Sequence, residues 1–331
     1  MTHRSKKLFS CVGIAAFVAC VAVARTGAQN YHDPFIDHGD NGETIHVLPN
    51  PAAVRAARDT QSTDLDPSNA AGVFPASYGS GNLTNHGGPE IPNAQFRAIY
   101  WNASVANSTA TPNGTTIQAY LGGFASVFSD ALPYSSTDTS ADYTIVQQYG
   151  SSNPIAASLP YLGARVDSQA TQTRISDSGV QSYLAGLFNA GKETPNTSVL
   201  YGVYFPAGMK ISLQGGSSCT NFCGYHSHFT YSGKLIKYAV FPYTNCSACS
   251  LSGKTVADML SIVTSHEIRE AVTDSLGTAW YDASGYEADD KCAWHNLYRT
   301  ANGGYWVQPE YSNGGTKSGT SYPGPGCVVP R

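Results

Sequence analysis

Six cysteines, Cys219, Cys223, Cys246, Cys249, Cys292 and Cys327, crowd the last third of the 331-residue chain, and Cys11 and Cys20 sit apart in an apolar leader. An even set confined to one region leaves two options for it, a disulfide-stapled layer or a thiolate metal site. The leader decides between them. Arg4, Lys6 and Lys7 precede an apolar run from Leu8 to Ala24, with small residues at Ala22, Ala24, Gly27 and Ala28, which reads as a secretory signal peptide over residues 1–28. The run is shorter than the ~20 residues needed to span a bilayer, so no stable membrane anchor is expected. Export favours oxidised sulfurs. The expected pairs are the local ones, Cys219–Cys223 and Cys246–Cys249, with Cys292–Cys327 tying down the tail; the competing reading is a zinc site built on the C-x-x-C of Cys246 and Cys249.

Charge is scarce. Only 13% of residues are charged, about half the usual share, while the apolar fraction of 41% suffices for a core. The net charge is −4 and no basic block follows the leader, which excludes the electrostatic footprint of a nucleic-acid binder. Removing the leader takes four basic residues and no acid, so the exported chain is more acidic still.

Residues 29–90 are rich in Asp, Asn, Gly, Pro and Ser, with only short apolar pieces such as Ile45 to Leu48, and read as a flexible arm or propeptide. Residues 91–331 read as one domain. Alternation predicts strands at Gln95–Trp101 and Ser198–Phe205 and a hairpin from His226–Tyr231 and Leu235–Tyr243 across Ser232-Gly233-Lys234. Helical spacing predicts helices at Thr115–Ala131, at Asp177–Ala190 with Gly191 as its stop, and at Val256–Thr273 after Lys254-Thr255. Strands mixed with three helices, without regular βαβ alternation, give the α+β class.

The third helix ends in His266-Glu-Ile-Arg-Glu-Ala-Val-Thr-Asp274. His266, Glu270 and Asp274 follow one another at i, i+4 and i+8 on one face. A neutral imidazole and a carboxylate one turn apart supply two ligands to a divalent cation, and Glu267 beside them is poised to act as general base on a metal-activated water. Asp274, at the helix end, is expected to orient rather than ligate. His226 and His228, two apart on a strand, are candidates for ligand or substrate contact, and His295 after Cys292 is a candidate general acid. No G-x-S-x-G elbow supports a serine hydrolase.

This stretch resembles the thermolysin-type zinc helix at His266, Glu267, Ala271, Val272, Thr273 and Asp274, with Glu270 in place of the second histidine. In that family a catalytic tyrosine lies fifteen residues after the first histidine, where Tyr281 falls, and a glutamate ligand twenty-four after, where Asp290 falls. The resemblance implies His266, Glu270 and Asp290 as metal ligands, Glu267 as base and Tyr281 as oxyanion stabiliser. Glu287 competes with Asp290, because Glu287-x-x-Asp290 is similar to the family's ligand followed by a supporting aspartate. The implied fold is a zincin-like mixed sheet with an active-site helix and a disulfide-bonded C-terminal part. The implied activity is that of a secreted, zinc-dependent metallopeptidase acting on extracellular proteins or peptides. A set of one His and two acids is less selective for zinc than a histidine-rich one and also suits calcium, manganese or iron.

A broader likeness runs from about residue 85 to 327. Asn85-His-Gly-Gly-Pro-Glu-Ile-Pro, the strand ending in Trp101, Cys223-Gly-Tyr-His226, Ala279-Trp-Tyr281 and Glu287-Ala-Asp-Asp-Lys-Cys-Ala293 are together similar to the secreted Exordium or phosphate-induced-protein family. That likeness implies an extracellular or cell-wall location and a non-catalytic signalling or binding role.

Overall fold

The structure is a computed structural model that describes residues 33–57, 72–128, 141–151, 153–300 and 303–330. The leader expected over residues 1–28 lies outside the described residues.

The core is a mixed seven-stranded sheet. Its strands are β1 (Ile36–His38), β2 (Thr44–Pro49), β3 (Gln95–Tyr100), β4 (Tyr161–Val166), β5 (Val199–Tyr204), β6 (Phe222–Tyr231) and β7 (Lys234–Phe241), in the spatial order β1-β2-β6-β7-β5-β3-β4. β4, β3, β5 and β7 run parallel, whereas β7, β6, β2 and β1 alternate in direction. β5, at the centre of the parallel half, is buried at every residue, as a strand covered on both faces must be.

Helices α1 (Ile117–Phe128) and α2 (Asp177–Asn189) lie in the crossovers β3 to β4 and β4 to β5. α1 buries Ile117, Tyr120, Leu121, Phe124, Val127 and Phe128, the stripe its spacing predicts. The Ser176 hydroxyl accepts from Gly179 N–H to cap α2, and Gly191 takes the left-handed conformation just past its end. The β6–β7 hairpin turns at Ser232 and Gly233, both at positive φ, which suits the right-handed twist of its strands.

Helix α3 spans Val256–Thr273, the range its periodicity predicts. A reciprocal capping box starts it: Asp258 N–H donates to the Thr255 hydroxyl, and Asp258 accepts from Thr255 N–H at 2.9 Å. Every residue from Ala257 to Thr273 is buried. One face packs on the sheet, where Gly224 of β6 lies so close that a Cβ there would stand 2.3 Å from Val263 Cγ1 and 2.9 Å from Glu267 Oε1. The C-terminal segment covers the other face, the Ser261 hydroxyl donating to the carbonyl of Trp306 at 2.7 Å. α3 is therefore a central helix between two layers, and its polar residues need partners inside the protein.

Two expectations require correction. Residues 33–57 and 72–90 are not an arm without regular structure. β2 pairs antiparallel with β6, a short helix follows at Pro51–Ala57, and Gly72–Phe74 joins a three-stranded sheet with Glu310–Ser312 and Gly326–Val329. Ile45, Val47 and Leu48 are buried, and the backbone hydrogen bonds offered by the edge of β6 hold them there; composition does not register that partner. Residues 29–32 and 58–71 of the proposed arm lie outside the described residues.

The second correction concerns sulfur. Cys219 pairs with Cys246 and Cys223 with Cys249, whereas Cys292 pairs with Cys327 as expected. The hairpin is the reason: it brings the segment before β6 alongside the segment after β7, and Cα separations of 5.8 and 5.6 Å across that gap suit disulfides. Cys219, Cys246 and Cys249 stand close enough to hold a cation, but their sulfurs are committed to disulfides and offer no thiolates. No described helix is long and apolar enough to cross a membrane.

Candidate metal centre

Four stretches of chain deliver acids and histidines to one buried place. α3 presents His266, Glu267 and Glu270 from its last two turns, β6 presents His226, β2 presents His46, and the segment ending in the short helix Asp290–Cys292 presents Glu287 and Asp290. All seven are buried, His46 being the most exposed at 8%.

The contacts chain these groups together. His266 Nε2 lies 3.0 Å from Glu270 Oε2 and 3.8 Å from Asp290 Oδ1. His46 Nδ1 lies 3.1 Å from Glu287 Oε2 and 3.7 Å from Asp290 Oδ2. His226 spans the space between, with Nδ1 3.3 Å from Glu267 Oε2 and Nε2 3.9 Å from Glu287 Oε2. Asp290 N–H donates to Glu270 Oε1 at 2.9 Å, and Glu287 N–H donates to Asp290 Oδ2 at 3.2 Å, so the segment's backbone orients the carboxylates of Glu270 and Asp290. Ligand atoms about 2.1 Å from a tetrahedral cation lie roughly 3.4 Å from one another, and these separations bracket that value.

Much of the hydrogen-bonding capacity here is unused. Among the described residues, His46 Nδ1, His266 Nε2, Glu267 Oε1, Asp290 Oδ1 and both side-chain oxygens of Glu287 are buried without a hydrogen-bond partner. Unused capacity on this scale inside a core is costly unless another species shares the space. The donor set of imidazole nitrogens and carboxylate oxygens fits a divalent first-row cation.

Electrostatics point the same way. Burial raises the Glu267 and Glu270 carboxyls well above the usual range, reinforced for Glu267 by Glu270, Asp290 and Glu287, and for Glu270 by Glu287. Burial lifts Glu287 to about 8 and, with Glu270 adding to it, Asp290 to about 7. Burial depresses His226 to about 3, helped by His46 and His266, and depresses His266 as well. For His46 burial acts in the same direction, but Glu287 and Asp290 outweigh it and hold the imidazole well above its ordinary value. The nearest arginine is already spent: Arg269 pairs with Asp289 and donates to the Gln308 carbonyl at 2.8 Å. Among the described residues, the cluster's four carboxylates have ion-pair partners only in the three histidines.

Further groups hold this set. Gln308 Nε2 lies 3.1 Å from His266 Nδ1 and donates to the Asp289 carbonyl. With Nε2 held by the Asp289 carbonyl and Oε1 accepting from Trp294 N–H, it is the amide nitrogen that faces His266 Nδ1, which therefore accepts. Asp274 ends α3 and accepts from Thr278 and Ala279 N–H at 2.6 and 2.7 Å, which fixes the turn leaving the helix.

Of the residues singled out by sequence, His266, Glu267, Glu270, Glu287, Asp290 and His226 come together. Tyr281 is positioned by a separate element. The Asp274 turn leads the chain into a short strand, Trp280–Tyr281, paired with Thr84–Asn85, and the Tyr281 ring stacks on His86 at 3.6 Å. No hydrogen bond joins its hydroxyl to the cluster among the described residues. His228 is half-buried further along β6, opposite Lys237, and His295 is held by Asn296 at 2.7 Å. Sequence reasoning missed His46, because it sits in the segment read as an arm, and Gln308, because no spacing ties it to α3. Its one available signal was the apolar piece around His46, Ile45 to Leu48. Comparison of the chain with known protein families, with characterised proteins and with solved structures finds no match.

Proposed function

We propose that this is a secreted, metal-dependent hydrolase of peptides, with the cation held by His266, Glu270 and Asp290. The observation that carries the reading is that His266 Nε2 lies 3.0 Å from Glu270 Oε2 and 3.8 Å from Asp290 Oδ1, with Glu267 at ligand spacing from His266 and Glu270. Asp290 takes the third position because it lies nearer His266, whereas Glu287 turns to His46. The mixed sheet and the buried helix behind it agree with a zincin-like arrangement, and three disulfides agree with export.

A bound zinc supplies Lewis acidity, acidifying a water and polarising the substrate carbonyl. The chain's own residues do the rest. Glu267 accepts the proton of the attacking water: Oε2 is oriented by His226 Nδ1, while Oε1 has no hydrogen bond within the protein. Glu267 then passes that proton to the departing amine.

The burial of the whole cluster, with β2 covering the edge of β6, favours a second reading: a non-catalytic extracellular signalling or binding protein of the Exordium type, whose metal ties strands to helix. Peptide hydrolysis assayed with and without chelator, in wild type and in Glu267→Gln, separates the two. Chelator-sensitive cleavage lost in Glu267→Gln supports the hydrolase. Metal binding without cleavage supports the second reading, and absence of stoichiometric metal overturns both.

A further inference from the structure

The cluster holds more donors than one cation can use. Once His266, Glu270 and Asp290 Oδ1 are assigned, Glu287 Oε2 still lies 3.1 Å from His46 Nδ1 and 3.9 Å from His226 Nε2, and His46, Glu287 and Asp290 by themselves form a candidate ligand group. Asp290 joins the two halves. Its Oδ1 faces His266 at 3.8 Å and its Oδ2 faces His46 at 3.7 Å, the disposition of a bridging carboxylate.

Charge gives an independent argument. Glu267, Glu270, Glu287 and Asp290 bring four carboxylates to a region shielded from water, with no lysine or arginine paired to them among the described residues. One divalent cation offsets half of that charge, and two offset all of it while the three histidines stay neutral. Part of the unused hydrogen-bonding capacity belongs to this second half: His46 Nδ1 and both Glu287 side-chain oxygens are buried without hydrogen-bond partners.

We propose that the cluster is a two-cation centre, in which a second divalent first-row ion is held by His46, Glu287 and His226 and shares Asp290 with the first. This deepens the metal-dependent reading and rests on its first cation. His226 binds through Nε2, which leaves Nδ1–H to donate to Glu267, so the second ion and the base are coupled through one imidazole. Paired ions in such centres stand about 3.5–4 Å apart. The strand β2 thereby acquires a role beyond packing, since it delivers a ligand from the N-terminal side of the fold.

The test is a titration of the chelator-treated, purified exported protein with Zn²⁺ by calorimetry, with bound metal counted by mass spectrometry. Two equivalents per chain are expected. His46→Asn lowers this to one, or weakens the second site by more than about tenfold, while the first site persists. Mn²⁺ loading gives a readout that needs no variant: the paramagnetic resonance signal of the first equivalent broadens or diminishes as the second enters, because adjacent ions couple. One equivalent in wild type overturns the second cation and leaves the first. Two equivalents that persist at unchanged affinity in His46→Asn overturn the assigned ligands. No bound metal overturns the metal centre as a whole, whereas two cations without peptide cleavage overturn only the peptidase reading.

Discussion

Nε2 of His266 lies 3.0 Å from Oε2 of Glu270, one helical turn further along α3, and both side chains are buried. A rigid helix thus presents nitrogen and oxygen at ligand spacing, and nearly everything else in the centre is brought to that pair by other parts of the chain.

Removing the pair's carboxylate should remove the cation. Outer partners of metal ligands are worth about 10–100-fold in affinity, so Glu270→Ala is expected to weaken zinc binding by more than about a hundredfold in a competitive chelator titration. Unchanged affinity would sink the assignment of Glu270.

Glu267→Gln separates binding from chemistry. The amide keeps the volume of the side chain and loses its basicity, so metal content should be retained while kcat for peptide hydrolysis falls by about 10²–10⁴. A variant with full turnover would show that the base lies elsewhere.

The metal-free protein should become less stable as pH rises from about 6.5 to about 8. In that window the folded chain retains protons on Glu287, lifted to about 8, and on Asp290, lifted to about 7, whereas unfolded carboxylates, with pKa values near 4, have lost theirs. The folded state then binds more protons, and stability falls with pH. Below about 6.5 the neutral, buried His226 and His266 act in the opposite sense, since unfolding lets them charge. Zinc should flatten the alkaline slope and release protons on binding. Melting temperatures across pH 6–8.5, with chelator and with zinc, check this; parallel curves would contradict it.

The two disulfides at the base of the hairpin close loops with sequence separations of 27 and 26, each worth about 3.5 kcal/mol in a chain-entropy account. Replacing Cys223 and Cys249 together by Ala should lower urea stability by about 2–4 kcal/mol. It should also loosen metal binding, because Cys223 sits three residues from His226. A double variant as stable as wild type would contradict the pairing.

Gly224 admits no side chain, since a Cβ would meet Val263 at 2.3 Å. Gly224→Ala is expected to cost about 1–3 kcal/mol by overpacking the contact between β6 and α3, read as a lower urea midpoint at unchanged slope.

The three long helices and the hairpin were legible from the sequence, because a one-sided apolar stripe and a turn able to take positive φ are local properties. So was the core of the site: His266, Glu267 and Glu270 are neighbours on one helix, and their mutual geometry follows from its pitch. Beyond one element this reasoning weakened. His46 lies 3.1 Å from Glu287 and 3.7 Å from Asp290, yet no spacing in the sequence ties it to α3. Cys219 and Cys223 are near in sequence, yet each bonds across the hairpin.

Read alone, the chain determines the three long helices, the central strands and the hairpin, and which helix carries the acids and the histidine. Tertiary structure decides that His46, from a stretch whose composition looks structureless, and Asp290, twenty-four residues past His266, meet at one buried point. The reason is physical: local sequence sets torsion angles and the faces of an element, whereas the convergence of groups far apart depends on which edges pair and which layers close over the helix.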